Sequence, residues 1–268
     1  MRRLALLAFL ALGLVSCKTQ GIAIVAHRGF WKCEAGQYCE NSLASLQAAI
    51  DSSFWGSEFD VRLTADDVPI IWHDANFARL NGRSDPADSY LYDSLLQYRF
   101  TNGEKIPTLD EYLAVAEKAK GTMLVLEFKE ESSPEREELL VRKCVESLKS
   151  HGLMKPRKVM FISFSKHICD LIAKDYPRFG NQYLRSDIAP ADLAKDGING
   201  IDYYYPTIRE HPDWIQEAHD HGMTVNVWTM DVPAEIQDFI HLGVDCITTN
   251  IPSLTRDLLI RNNKKELH

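Results

Sequence analysis

From Ile22 onward, short apolar runs alternate with amphipathic segments. Ile22–Ala26 reads as a strand ending in His27-Arg28-Gly29. Asn41 opens a helix that runs to about Ser52, with Leu43, Leu46, Ala49 and Ile50 at helical spacing. Glu58–Leu63 and Pro69–Trp72 read as strands, and residues 75–108 as a longer polar connection with helical turns near Leu91–Tyr98. Further strands follow at 123–128, 158–162, 224–228 and 246–249, with weaker ones at 180–184 and 200–204. Between them lie helices at 109–120, 134–150, 167–175, 190–195, 212–221, 233–242 and 253–260. Gly121 stands as the stop signal of the first of these.

This alternation, without repeats or low-complexity segments, predicts an α/β fold with a mainly parallel sheet. The number of units and the length of 268 residues favour a single-domain, TIM-barrel-like (β/α)8 fold. One strand is left over. Between Asp60 and Pro69 there is no room for a crossover helix, which parallel neighbours require. The two strands there are therefore an antiparallel hairpin turning at Ala65-Asp66-Asp67. Pairing outward from that turn sets Glu58 and Asp60 opposite Asp74 and Trp72, with His73 between.

Composition changes the picture little: 45% apolar and 25% charged residues are ordinary for a globular chain. The net charge of −8 and the lack of a basic cluster argue against a nucleic-acid partner. The N-terminus stands apart. Arg2 and Arg3 precede an apolar run, Leu4–Val15, too short to span a bilayer. The run ends Leu14-Val15-Ser16-Cys17, which resembles the lipobox of bacterial lipoproteins. That resemblance implies a signal peptide over residues 1–16, a lipidated Cys17, a tether over 17–21 and a barrel over 22–262. It also implies an exported protein anchored to the membrane of a bacterial cell envelope. An ordinary cleaved signal peptide with a chance cysteine is the plainer alternative. Of the other cysteines, Cys33 and Cys39 are the only local pair that export could oxidise. Cys144, Cys169 and Cys246 read as small buried hydrophobes.

Four strand ends carry charge or an aromatic tip: His27-Arg28, the hairpin with Glu58, Asp60, His73 and Asp74, Glu127 with Lys129, and Trp228. In a barrel such ends converge on one mouth. Glu58 and Asp60 lie two apart, so they share a strand face. Carboxylates crowded in apolar surroundings need positive charge between them, and a hard divalent cation meets that need with oxygen ligands. Each set also has a bland reading. Glu58/Asp60 suits a wet strand face, Glu127/Lys129 a weak surface pair and Trp228 rim packing; His27 alone suits a hydrogen-bonded loop.

Together the motifs resemble the glycerophosphodiester phosphodiesterase family. The matching pieces are A-H-R-G at 26–29, E-N-S at 40–42, S-E-F-D-V at 57–61, T-A-D-D-V-P-I-I-W-H-D at 64–74 and R-L-N-G at 79–82. Others are I-P-T-L-D-E-Y-L at 106–113, L-E-F-K at 126–129, V-N-V-W-T at 225–229 and G-V-D-C-I-T-T-N at 243–250. The resemblance implies metal-dependent hydrolysis of glycerophosphodiesters to glycerol 3-phosphate and an alcohol. It assigns acid/base roles to His27 and His73, one divalent ion (Mg²⁺ or Ca²⁺) to Glu58, Asp60 and Glu127, phosphate contacts to Arg28 and Lys129, and the glycerol pocket to Trp228. Two positions depart from the family pattern: Cys39 replaces a proline before Glu40-Asn41, and Asn250 replaces an aspartate. Two other functions fit less of the pattern. One is a related phospholipase D-like barrel acting on lysolipids. The other is a surface lipoprotein that binds a phosphorylated polyol without turnover.

Overall fold

A computed structural model describes residues 21–268; the signal-peptide region and Cys17 lie outside the described residues. Nine strands are present among them: β1 (Ala23–Ala26), β2 (Gly56–Leu63), β3 (Pro69–Ile71), β4 (Met123–Phe128), β5 (Val159–Ser163), β6 (Asn181–Tyr183), β7 (Gly200–Tyr204), β8 (Thr224–Trp228) and β9 (Cys246–Thr249). All but β3 run parallel, and β1 pairs with both β2 and β9, which closes the barrel. The surplus strand is the hairpin. β3 lies antiparallel on β2 with Val61 opposite Ile71, Arg62 opposite Ile70 and Leu63 opposite Pro69. Trp72 N donates to the Asp60 carbonyl at 3.1 Å, so the register continues as the sequence predicts. Thr64 Oγ1 closes the turn by accepting from Val68 N at 3.0 Å, and Asp67 adopts φ 60° there.

Strand alternation divides the side chains into two layers. Phe59, Val61, Leu126, Phe128 and Phe161 pack outward against the helices Leu109–Ala116 and Pro134–Ser150. Ile24, Ile201, Tyr203, Val225, Val227 and Ile247 do the same on the other side of the barrel. Burying each such side chain contributes roughly 1.5–3 kcal/mol. The inward positions of β1, β4 and β5, with Leu184 just after β6, form a smaller apolar cluster of Val25, Val125, Met160, Ile162 and Leu184. Glu58, Asp60, Glu127, Asp202, Asn226 and Thr248 occupy inward positions too, and all are buried.

Several expectations change in detail. Ser42, not Asn41, caps the first helix (Leu43–Asp51), because its hydroxyl accepts from Ser45 N; this frees Asn41 for the site. The helix starting at Leu109 ends at Ala116, short of Gly121, where the chain turns and Lys158 Nζ takes the carbonyls of Ala119 and Lys120. A short helix, Tyr205–Glu210, follows β7 without having been expected. Residues 75–108 are not merely polar. Phe77, Leu95, Phe100 and Ile106 form a separate small core with Trp72, whose members follow neither a helical nor a strand period. No helix among the described residues is long and apolar enough to cross a membrane.

Candidate active site

The C-terminal ends of the strands bring the predicted residues together. His27, Arg28, Glu58, His73, Glu127 and Trp228 line one cavity of about 200 Å³. Asp60 lies fully buried on the same face of β2 as Glu58. Glu58, Asp60 and Glu127 each offer an oxygen within 4.8 Å of the others. Lys129 does not line the cavity; its ammonium sits 2.5 Å from Glu127 Oε1 and 3.2 Å from Asp60 Oδ1. A wet strand face for Glu58/Asp60 and a weak surface pair for Glu127/Lys129 fail on burial, since Glu127 and Lys129 are less than a tenth exposed and Glu58 and Asp60 nearly fully enclosed.

Local backbone geometry places the rest. Arg28 takes a left-handed conformation (φ 55°), which turns its N–H onto Glu58 Oε2 at 2.7 Å. Gly29 follows at φ 80°, and a Cβ there would stand 2.4 Å from Ser45 Oγ, so no side chain fits. The Arg28 guanidinium donates to Glu40 Oε2 at 2.9 Å and lies 3.6 Å from Asp60 Oδ2. Asn41, also left-handed, donates through Nδ2 to Asp60 Oδ2 at 2.8 Å. The Glu40-Asn41 pair therefore orients one cation and one carboxylate of the site.

Both histidines are held through Nδ1, which leaves Nε2 for chemistry. Asn250 Oδ1 accepts from His27 Nδ1 and from Trp31 Nε1, each at 2.9 Å, while its amide nitrogen donates to Asp231 Oδ2 at 2.6 Å. That network fixes the amide orientation and makes Nδ1 of His27 the donor. His73 Nδ1 instead lies 2.8 Å from Asp74 Oδ1, and Asp74 is held by Arg79 Nε at 2.6 Å. Arg79 reaches back to Glu40 at 2.7 Å and covers the Trp72 ring. The roles of Asn250, Asp231 and Arg79 were not read from the sequence. The signals were present: Asn250 ends a motif at a strand end, and Asp74 directly follows His73.

The electrostatics are those of a site short of positive charge. Burial, then Asp60 and Glu127, push Glu58 well above the carboxylate range. Burial likewise pushes Glu127 up to about 7, against the pull of Lys129. Burial opposes ionisation of Asp60 as well, but Lys129, His73 and Arg28 outweigh it and hold that carboxyl well below its ordinary value. Burial, then Arg28, push His27 down to about 4, so its ring is neutral at pH 7. Glu58 Oε1, Asp60 Oδ1 and Glu127 Oε1 accept no hydrogen bond of good geometry among the described residues. Three convergent hard oxygens, two of them facing only the Lys129 ammonium, fit a divalent cation, which would let all three carboxylates ionise together.

Cys33 and Cys39 are unbonded; their thiols turn to the carbonyls of Phe30 and Glu40.

The model of the "Glycerophosphoryl diester phosphodiesterase family" matches residues 27–254. The chain belongs to this family. A glycerophosphodiester phosphodiesterase of Bacillus altitudinis is 28% identical over 261 residues, covering 90% of this chain and 99% of the relative. The crystal structure of a glycerophosphodiester phosphodiesterase from Parabacteroides distasonis superposes with a TM-score of 0.85 at 36% identity, covering 91% of this chain and 99% of that one. An Oleispira antarctica phosphodiesterase, solved with the product sn-glycerol-3-phosphate, shares the fold with a TM-score of 0.78 at 23% identity, covering 90% and 97%. The family's matched segment begins at His27 and takes in every residue of the cavity wall.

Proposed function

We propose that this phosphoric diester hydrolase cleaves glycerophosphodiesters to glycerol 3-phosphate and an alcohol, with His27 and His73 as the acid/base pair and one divalent cation held by Glu58, Asp60 and Glu127. The observation that carries this reading is the convergence at one barrel mouth of two Nδ1-anchored histidines with three buried carboxylates whose oxygens lie within 4.8 Å of one another. The cation, when bound, supplies positive charge for the phosphoryl oxygens and their developing negative charge.

The chain's own groups do the rest. His27, kept neutral by burial and with Nε2 free, accepts the proton of the attacking hydroxyl, either the glycerol 2-hydroxyl or a water. His73, oriented through Nδ1 by Asp74, protonates the departing alcohol; burial lowers its pKa, with Asp60 and Asp74 opposing that, so it gives up its proton readily. His73 also borders a second depression of about 380 Å³ lined by Trp31, Trp72 and Arg79, which gives the alcohol an exit on that side. Arg28 and Lys129 balance the phosphate charge. Two positioned acid/base groups supply about 10²–10⁴ each, or roughly 3–5 kcal/mol apiece of the 8–23 kcal/mol an enzyme needs. Electrostatic stabilisation supplies the remainder.

Anchoring through Cys17 fits the same reading. β1 begins at Ala23, at the end of the barrel opposite the mouth. A site that invests in two oriented histidines gives no support to binding without turnover.

The test is hydrolysis of glycerophosphocholine, glycerophosphoethanolamine and a lysophospholipid, with and without a chelator. Release of glycerol 3-phosphate only from the deacylated substrates, abolished by the chelator, is expected. Absence of turnover with every divalent metal, or preference for the lysolipid, overturns the reading. Release of a Cys17→Ala variant from the membrane fraction tests the anchor separately.

A further inference from the structure

One carboxyl in the cavity has no part in the scheme above. Asp202 sits on β7 with 1% of its surface exposed. Its neighbours Ile201 and Tyr203 pack outward into the helix layer, so its carboxyl faces the barrel interior. There it lines the cavity beside Trp228 and Glu127. Asn226, its register partner on β8, donates to Thr248 Oγ1 and accepts from Val227 N, both at 2.9 Å. Trp228 Nε1 donates to the Asp202 carbonyl at 2.8 Å, which locks the indole to this stretch of β7. Asp202 Oδ1 has no hydrogen-bond partner among the described residues. Leaving such a buried atom unpaired costs about 1–3 kcal/mol. An unpaired polar atom aimed into a ligand cavity marks a place where the ligand can satisfy it.

We propose that Asp202 determines specificity for the glycerol moiety: its carboxyl binds the terminal hydroxyl, the one farthest from phosphorus, while Trp228 and Phe164 cover the carbon chain. The inference rests on the glycerophosphodiester reading above. The wall around Asp202 is apolar, made by Ile162, Phe164, Leu184 and Trp228, and suits methylene groups but not a second charge. A carboxyl accepts a hydrogen bond from a hydroxyl and, when protonated, also donates one. Such a group discriminates strongly, because a ligand without the hydroxyl leaves it unpaired.

Calorimetric binding of sn-glycerol 3-phosphate and of propane-1,2-diol 1-phosphate, which lacks only that hydroxyl, tests the assignment in metal-supplemented protein. Wild type should prefer the glycerol compound by about 10²-fold. Asp202→Ala should shrink the preference to less than about threefold by weakening only the glycerol compound, and Asp202→Asn, which still donates and accepts, should keep most of it. A wild type with no preference overturns the inference whether or not the variants fold. An Asp202→Ala protein that loses affinity for both compounds equally also overturns it. Hydrolysis of glycerophosphocholine is scored in parallel: turnover without hydroxyl preference removes this inference alone, and no turnover of any glycerophosphodiester removes both.

Discussion

The two sides of the barrel mouth are built on opposite terms. The side from β1, β2 and β4 presents His27 and Arg28, half-buried, and Glu58, Asp60, Glu127 and Lys129, all buried. The side from β5 to β8 presents Ile162, Phe164, Leu184 and Trp228, with Asp202 its one carboxyl. Enclosing a charge costs several kcal/mol per ion, so the first side is tolerable only as a mutually paired set. The second side has no such need and is built like core. On the proposed reading, the difference separates chemistry from recognition: the charged side would handle the phosphate and its protons, and the apolar side would receive the carbon skeleton.

The comparison breaks most visibly at the metal. Chelation, or Glu58→Gln, should cost about 10³-fold or more in kcat, the equivalent of several kcal/mol of transition-state stabilisation. Metal add-back should restore the chelated wild type but not the variant. His27→Ala and His73→Ala come next, each lowering kcat by about 10²–10⁴ with an unchanged melting temperature. A loss confined to KM would place either histidine on the recognition side instead.

Two smaller effects sharpen the contrast. Asn250→Asp would set a carboxylate on His27 Nδ1. The His27 ring, now held down to about 4 by burial and then Arg28, gains its proton at higher pH when a negative charge is adjacent. As pH falls, the base would be lost sooner, so the acid limb of kcat/KM should move upward by about 1–3 units. An unmoved acid limb would mean that His27 is not the base. Trp228→Ala, on the apolar side, should raise KM about tenfold and leave kcat nearly unchanged, in proportion to the aromatic surface removed; steady-state kinetics on glycerophosphocholine separates the two constants.

The charged side was the more legible from sequence, for a physical reason. Acids two apart in an apolar strand, or a His-Asp at a strand end, are conspicuous because they are expensive. The hairpin that delivers them follows from a connection too short for a crossover. The apolar side reads as ordinary core: Ile162, Phe164 and Leu184 carry no signal beyond hydrophobicity, and Asp202 is a single acid among aromatics. Orienting residues were also hidden. Asn250 looked like a departure from a motif, yet it is the acceptor that sets the His27 tautomer. Asn41 looked like the start of a helix, yet its amide holds Asp60. Both contacts join residues far apart in the chain and have no local period to reveal them.

The central claim is that Glu58, Asp60 and Glu127 share one cation. Calorimetric titration of Mg²⁺ and of Ca²⁺ into metal-free protein tests it directly, in wild type and in Glu127→Gln. One site per chain in the wild type, lost or much weakened in the variant, is the predicted result. Equal binding by both proteins, or full hydrolytic activity with no metal bound, would contradict it.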